Sequence, residues 1–404
     1  YTWDGANYSR AVFASHVDQV LVVHLACSRP GGLGVRLWLD GDEQPCEVRR
    51  TGADTLELHC LARETTHSDG QTGVTGHVRL QVLPEDGVLT SLGSQIRLAG
   101  ATAVTIIVAA GTTWAGSDPQ AACAAQVAAA AAQPYAALLA AHQADYRSLY
   151  RRSLLALGPA PHPSWPVDRR LAAVRAGEAD PHLCALVYQF GRYLLISSSR
   201  HDSPLPAHLL GIWNDNVAAR IGWTCDYHLD INTQMNYWPA ERTGLSECHL
   251  PLCRWIAERL VPSGRVTARL LHGLPGWVAY IVANAWGYSA PGWSTYWGIF
   301  PTGGVWIALH FWEHYAFTGD RAFLAQTAYP VLKEAAEFFL GYLNEDARTG
   351  WLIGGPACSP ENDYRVAGQR YTLCLGPTVD RVLLAELFGC CSAAARDLGV
   401  DADF

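Results

Sequence analysis

A change of composition near Asp118 divides this chain into two parts with different folding patterns. Before it, short apolar or alternating runs are separated by Gly, Pro and Asp turns and lie at 19–27, 35–39, 77–82 and 103–109. Strands that follow one another without intervening helices favour antiparallel pairing. We therefore predict an N-terminal antiparallel β-sandwich domain at 1–113.

Helical patterns begin after this boundary. In an alanine-rich stretch, Leu138, His142, Tyr146 and Leu149 recur at helical spacing, which predicts a helical linker at 114–166. Further amphipathic stretches of helical length alternate with loops rich in Trp and Gly, and they lie at 183–198, 305–317, 321–329, 330–343 and 378–398. Paired helices joined by long loops indicate a toroid of helical hairpins whose loops carry the chemistry.

Composition excludes several classes of partner. Only 16% of the 404 residues are charged, the formal net charge is −8, and no basic run suggests nucleic acid. No apolar run reaches the roughly 18–20 residues that span a membrane. The 12 cysteines form no paired framework and no CxxC motif, so we expect most of them to act as small buried hydrophobes.

A row of polar side chains is the most informative local pattern. Every second position is polar, with Leu229, Ile231 and Met235 between, and the row consists of His228, Asp230, Asn232, Gln234 and Asn236. In an extended segment this row would occupy one face. Such a face, framed by tryptophans, suits a sugar, because an unmatched buried polar group costs about 1–3 kcal/mol. A polar edge of a structural strand is the alternative interpretation.

This stretch resembles the signature of glycoside hydrolase family 95, the inverting α-L-fucosidases and related α-L-galactosidases. The resemblance covers nearly the whole chain, and its motifs are Gly191-Arg192-Tyr193-Leu194-Leu195, Gly211-Ile212-Trp213-Asn214, Met235-Asn236-Tyr237-Trp238-Pro239-Ala240-Glu241, Pro301-Thr302-Gly303-Gly304 and Ser359-Pro360-Glu361-Asn362. It implies an α+β multidomain fold, in which the N-terminal β-sandwich and the helical linker precede the first part of an (α/α)6 barrel at 167–404. The implied activity is release of a terminal α-linked L-fucose, or a related L-galactose-type sugar, from glycans.

The resemblance also implies catalytic residues. Inverting glycosidases place an acid and a base about 6.5–9.5 Å apart. The family's general acid is the glutamate of the Ser-Pro-Glu motif, here Glu361; few charges and many aromatic residues nearby would disfavour its ionised form. Without the resemblance, a helix cap or a solvated loop glutamate would be the favoured interpretation.

For water activation the family uses two asparagines one residue apart, polarised by a distant aspartate, whereas this chain has Asp230 and Asn232. A carboxylate can both orient water and take its proton, so we predict Asp230 as the base or part of it. A changed substrate or reduced activity is the alternative.

Further residues are candidates for contact with the sugar. His228 matches a sugar-contacting histidine of the family, and the other candidates are Trp213, Asn214, Gln234, Trp286 and Trp297. Tyr280 and Asn284 stand where many relatives have His and Asp, so the sugar and its linkage stay open. We predict no cofactor and no metal. His249, His310 and His314 do not form a metal set: His310 and His314 are one helical turn apart, but there is no HExxH motif and no third ligand is spaced to join them.

Two other functions stay open beside the glycosidase. A sugar phosphorylase would need a phosphate cradle, and the single lysine, Lys333, lies on an amphipathic helix. A carbohydrate-binding protein descended from a hydrolase would fit the change at Asp230. The chain opens in mid-pattern, and the family's later segment has no match before Phe404. We therefore expect a segment truncated at both ends, marginally stable and inactive alone; the compartment stays open.

Overall fold

The structure is a computed structural model and describes residues 1–41, 46–63, 73–114, 116, 118–209, 211 and 226–404. The chain divides into two compact units, Tyr1–Ser148 and Leu149–Phe404. The helices of the predicted linker region fall mainly in the first unit. The proposed limits of the domains remain a prediction.

The first unit is built on two antiparallel sheets. The strands are β1 (Thr2–Trp3), β2 (Ala6–Ser15), β3 (Val20–Cys27), β4 (Leu33–Leu37), β5 (Cys46–Arg50), β6 (Thr55–Leu61), β7 (Thr75–Pro84), β8 (Val88–Leu92), β9 (Gln95–Ala101) and β10 (Ala103–Thr112). One sheet has the order β1-β2-β3-β10-β7-β6-β5 and the other β4-β9-β8. The runs predicted at 19–27, 77–82 and 103–109 correspond to β3, β7 and β10.

Both faces of the larger sheet are covered. Leu56, Val82 and Val104 pack with Ile96 and Leu98 of the smaller sheet and form the sandwich core. On the opposite face, buried residues of the sheet pack against helices, and this second cluster includes Phe13, Val22, Ile107, Cys123, Val127 and Leu138. Burial on two faces explains why β3 and β10 are continuous apolar runs rather than alternating ones.

The predicted linker helix is two helices, α1 (Pro119–Ala131) and α2 (Tyr135–Tyr150), which meet at an angle of 108°. Asp118 caps α1 by accepting hydrogen bonds from the backbone N–H groups of Gln120 and Ala121. In the described parts of the chain, no single helix has the length and apolar character of a membrane span. The bent pair α1 and α2 meets those criteria only when both helices are taken together.

The second unit is mainly helical. Its helices are α3 (Val167–Arg175), α4 (Pro181–Ser198), α5 (Asn232–Tyr237), α6 (Pro239–Arg242), α7 (Leu250–Trp255), α8 (Val261–Thr267), α9 (Gly303–Thr318), α10 (Arg321–Phe323), α11 (Tyr329–Tyr342) and α12 (Thr378–Leu398). Short strands lie in its loops and are β11 (Tyr227–His228), β12 (Val282–Ala283), β13 (Asn344–Glu345), β14 (Leu352–Ile353), β15 (Ala357–Cys358), β16 (Tyr364–Val366), β17 (Gln369–Tyr371) and β18 (Leu373–Cys374). The described cysteines are all free.

Helix α9 is the buried centre of this unit and packs against α5, α11 and α12. Its first turn lies against the backbone at Ala279 and Tyr280, where a Cβ on Gly304 would come 2.9 Å from the Ala279 nitrogen. Glycine therefore lets α9 begin next to the chain that leads into β12. This contact places the Pro301–Gly304 motif beside the candidate site.

Candidate active site

The polar row begins as predicted, in an extended segment. Strand β11 pairs with β12, and the Leu229 N–H donates to the Ile281 carbonyl at 2.7 Å. Tyr227 and Leu229 are buried, which leaves Asp226, His228 and Asp230 half-buried on the other side. The alternation therefore holds from Asp226 to Asp230.

Beyond Asp230 the predicted alternation is wrong. Ile231 has φ of 150°, a conformation that favours glycine, and α5 begins at the next residue, Asn232. Positions separated by two are not on one face of a helix. Gln234, predicted for the site wall, is fully buried and donates its side-chain N–H to the Leu229 carbonyl at 2.8 Å, while Met235 is 44% exposed.

Asp226 holds His228 and was missed in the sequence analysis. Its Oδ1 atom lies 2.5 Å from Nδ1 of His228. Burial lowers the pKa of His228, but the carboxylate of Asp226, followed by Asp230 and Glu361, raises it, and the net shift is upward. The same alternation that selected His228 and Asp230 also includes Asp226, so the pattern contained this signal.

The carboxyl groups of Asp230 and Glu361 interact electrostatically with each other and with His228. Burial raises the pKa of Asp230 to about 6; the charge of His228 opposes this shift, whereas the charges of Glu361 and Asp226 add to it. Glu361 also contributes to the shift of His228. Asp230 and Glu361 are far apart in the sequence but lie close enough in the fold for their charges to interact. Both charges also act on His228.

The loop that carries Glu361 is fixed through its backbone. The Tyr296 hydroxyl donates to the Glu361 carbonyl at 2.6 Å, and the Asn362 N–H donates to the Ser359 carbonyl at 2.7 Å. Just before the turn, the Cys358 N–H donates to the Ile299 carbonyl at 2.8 Å. The Glu361 side chain itself is exposed, so the described residues do not provide the apolar surroundings that the sequence argument assumed.

The aromatic candidates differ in position. Trp297 is half-buried, follows Tyr296 directly and meets the exposed ring of Trp293 edge-on, with 4.8 Å between ring centroids. This places Trp297 next in the chain to the residue that anchors the Glu361 loop. Trp286 is 61% exposed, and its backbone N–H donates to Asn284 Oδ1. Trp213 and Asn214 lie outside the described residues.

Tyr280 and Asn284, which depart from the family pattern, have structural contacts. Tyr280 is buried, and its hydroxyl lies 3.0 Å from Nε2 of His272. The Asn284 side chain accepts hydrogen bonds from the backbone N–H groups of Trp286 and Tyr288. Both side chains therefore contribute to the shape of the loops around β12.

Glu241, on helix α6, is the centre of a buried hydrogen-bond network. Oε1 of Glu241 accepts from Nδ1 of His249 at 2.8 Å and from Nδ1 of His314 at 2.7 Å, and Ser246 donates to Oε2 at 2.5 Å. Nε2 of His249 lies 2.8 Å from Nδ1 of His310. Burial raises the pKa of Glu241, but these hydrogen bonds outweigh it and hold the pKa at about 2.

The sequence analysis predicted that no third possible metal ligand would join these histidines, and this expectation is wrong. The fold supplies the third ligand that the spacing did not suggest, since Glu241, His249 and His314 bring ligand atoms within 4.8 Å of one another. Their separations of 2.7 and 2.8 Å are those of hydrogen bonds, and each nitrogen already has the carboxylate as its partner. The group therefore works as a hydrogen-bonded connection between α6, the Ser246–Cys248 turn and α9.

Asp380 is a second buried carboxyl near the Glu361 loop. Thr302 donates its hydroxyl to Asp380 Oδ1 at 2.6 Å, and burial raises the Asp380 pKa to about 6. The charges of Asp380 and Asp230 both act on Cys358. Asp380 therefore connects the first turn of α12 to the motif that starts α9, close to the loop of Glu361.

Comparisons with known proteins agree with this arrangement. The family model of the glycosyl hydrolase family 95 catalytic domain matches residues 134–404, and that of the glycosyl hydrolase family 65 N-terminal domain matches residues 1–117. The chain is 29% identical to alpha-L-fucosidase 2 of Arabidopsis thaliana over 99% of this chain and 50% of that protein. It is 36% identical to the probable alpha-fucosidase A of Aspergillus niger over 64% of this chain and 32% of that protein.

A solved structure described as "Putative kojibiose phosphorylase from human microbiome" has a similar fold. The TM-score is 0.66 at 9% sequence identity, and the match covers 98% of this chain and 50% of that one. This likeness concerns the fold alone, and it confirms the predicted β-sandwich followed by helices of an (α/α)6 barrel. The chain spans half the length, or less, of the relatives described above.

Proposed function

The chain belongs to glycoside hydrolase family 95, and on that premise we propose that it carries the site of a glycosidase that releases a terminal α-linked L-fucose, or a related L-galactose-type sugar, with inversion. The proposal rests mainly on the proximity of Asp230, His228 and Glu361, which lie close enough that the charge of Glu361 acts on both of the other side chains. An inverting mechanism requires two carboxyl groups on opposite sides of one sugar, with room for a water molecule.

In this proposal Glu361 is the general acid. It donates its proton to the glycosidic oxygen as the bond from that oxygen to the anomeric carbon breaks. A water molecule attacks the opposite face of the anomeric carbon, and Asp230 takes the proton that this water releases. The product is the free sugar with inverted anomeric configuration, and Glu361 is reprotonated from solvent.

The pKa of Asp230 suits this assignment. With a pKa of about 6 the carboxyl is mostly ionised at neutral pH, yet it is more basic than an ordinary aspartate. Asn232, two residues further and at the start of α5, can orient the same water through its amide. The unusual backbone at Ile231 lies between the two residues and turns the chain from strand to helix there.

His228 is proposed to bind a sugar hydroxyl. The carboxylate of Asp226 beside Nδ1 favours a proton on that nitrogen and makes the ring more basic, so Nε2 is a stronger hydrogen-bond acceptor for a sugar hydroxyl. Trp297 is the candidate for an aromatic platform, because its neighbour Tyr296 binds the Glu361 backbone. The roles of Trp213 and Asn214 at the site remain part of the proposal.

A phosphorylase has less support. Lys333 forms an ion pair with Asp401 at 2.7 Å and lies on a helix that carries none of the candidate site residues. A binding protein without catalysis stays open, and product analysis separates it from both enzymes.

The test uses the complete protein with fucosyl-α1,2-galactose and with nitrophenyl α-L-fucoside and α-L-galactoside, each with and without phosphate. We expect free sugar at a rate independent of phosphate, with the β anomer appearing first by proton NMR. A sugar phosphate as product, the α anomer first, or binding without turnover would each contradict the proposal.

A further inference from the structure

A second cluster of titratable side chains lies in the β-sandwich unit, far in sequence from the candidate active site. Along β6, Glu57 and His59 alternate with Leu56, a residue of the sandwich core, so both project from the opposite face of the sheet. On the neighbouring strand β7, His77 is paired directly with His59, and Arg79 is paired with Glu57. Three possible metal ligands therefore share one face of two adjacent strands.

The ligand atoms of Glu57, His59 and His77 all lie within 4.8 Å of one another. Two positions separated by one residue on a strand, with a third on the facing strand, can direct three side chains to one point. Glu57 and His77 are only 3% and 1% exposed, whereas His59 is half-buried. A metal ion here could reach solvent past His59 and take water as its fourth ligand.

The separation of the two imidazoles fits zinc better than a hydrogen bond. The Nδ1 atoms of His59 and His77 lie 3.3 Å apart. Tetrahedral zinc with bonds of about 2.0–2.1 Å to nitrogen holds neighbouring ligand atoms roughly 3.3–3.4 Å apart, and hydrogen bonds to nitrogen donors are normally shorter. The buried Glu241 network has contacts of 2.7 and 2.8 Å instead.

We propose that Glu57, His59 and His77 bind one Zn²⁺ ion, with Nδ1 of each histidine and one carboxylate oxygen as ligands. The ion would cross-link β7 to β6, the strand next to the edge strand β5 of the larger sheet. This is a structural site, independent of the proposed glycosidase activity.

The surrounding groups are compatible with a cation. Arg79 contacts Oε1 of Glu57, which leaves the second carboxylate oxygen for the metal. The neighbouring strand β5 contributes Glu47 and Arg49, which pair with each other. The other charges that act on His77 are the negative Glu57 and Asp118 and the positive Arg79, which is paired with Glu57.

The experiment measures zinc binding by the untagged full chain after removal of metals with a chelator. We expect about one Zn²⁺ per chain by mass spectrometry of the metal, and a higher melting temperature with zinc than without. His59→Gln should weaken binding about 100-fold or more, since it removes a direct ligand. The matched control is His24→Gln, a half-buried histidine on β3 whose Nδ1 faces Thr105; it should bind zinc like the wild type.

X-ray absorption at the zinc edge provides a test that needs no variant. We expect scattering from two imidazoles and from oxygen ligands, and Co²⁺ in place of zinc should give the intense visible absorption of a four-coordinate site. No bound zinc, equal affinity in His59→Gln and wild type, or fewer than two imidazole ligands would overturn the proposal.

Discussion

The substitution Glu241→Gln tests how much the buried hydrogen-bond network around Glu241 contributes to the free energy of unfolding. The substitution keeps the shape of the side chain but removes the charge that accepts hydrogen bonds from His249, His314 and Ser246. These bonds lower the pKa of Glu241 from 4.5 to about 2. At 1.36 kcal/mol per pKa unit, we expect the variant to lose about 3 kcal/mol of unfolding free energy at pH 7.

The pH dependence gives this prediction a distinctive sign. Because the pKa of Glu241 is lower in the folded protein, its stabilising contribution is fully present above the unfolded value near 4.5. It is lost as pH falls from there towards about 2. The difference in stability between wild type and Glu241→Gln should therefore be constant from pH 7 to pH 5 and shrink by pH 3.

Urea unfolding followed by tryptophan fluorescence at these pH values measures the difference. The matched control is Glu313→Gln, a carboxyl on the same helix as His314 whose partner Arg242 lies 3.8 Å away. An ion pair near the surface contributes about 1 kcal/mol or less. A loss below about 1 kcal/mol in Glu241→Gln, or a difference that is the same at pH 3 and pH 7, would refute the reasoning.

Three further predictions follow from the structure. Because Asp230 must be ionised to act as a base, kcat/KM of the complete protein should decrease as the pH falls below the pKa of Asp230, about 6. The pH profile of Asp230→Asn should lack this acidic decrease. If the decrease persists in the variant, Asp230 is not the base. Burial raises the pKa of Asp380 from 3.8 to about 6, so the stability that this carboxyl group contributes is lost as pH rises through this range. Urea unfolding should therefore show Asp380→Asn gaining up to about 3 kcal/mol of unfolding free energy relative to wild type between pH 4 and pH 7. The same difference between the two proteins at pH 4 and pH 7 would contradict this. A Cβ on Gly276 would lie 2.1 Å from the Glu334 carbonyl oxygen, whereas one on Gly389 meets nothing within 4 Å. Thermal unfolding should show Gly276→Ala destabilised by roughly 2–4 kcal/mol, and the control Gly389→Ala unchanged or stabilised. Equal melting temperatures for the two variants would be inconsistent with the packing described.

The elements with strong periodicity could be predicted from the sequence. Helix α12 has the bounds that its pattern predicted, Thr378–Leu398, because Pro377 and Gly399 mark its ends. The helical run from α7 through α8 was missed, since Pro251 and Pro262 look like breakers. Pro251 lies in the first turn of α7, where a missing N–H costs little. Pro262 lies within the continuous helical run, directly after the π-helical turn Ile256–Leu260, where the backbone hydrogen-bond pattern is already irregular.

The candidate site could be predicted only in part. Alternation found His228 and Asp230, but it could not show that the chain turns into a helix at Ile231, because polar residues continue at every second position. The partners of Glu241 could not be predicted either, since His314 is on a different helix and only the fold brings the two together. Short-range patterns identify elements, whereas contacts between distant elements depend on tertiary packing.

The most direct test of the central claim measures the hydrolysis of two substrates by the complete protein carrying Glu361→Gln. A general acid is needed for a poor leaving group such as galactose, whereas fluoride leaves without a proton. We predict that hydrolysis of fucosyl-α1,2-galactose falls by about 100-fold or more, while hydrolysis of α-L-fucosyl fluoride falls far less. Equal losses on the two substrates, or no loss on either, would contradict the assignment of Glu361 as the acid that faces Asp230 across one sugar.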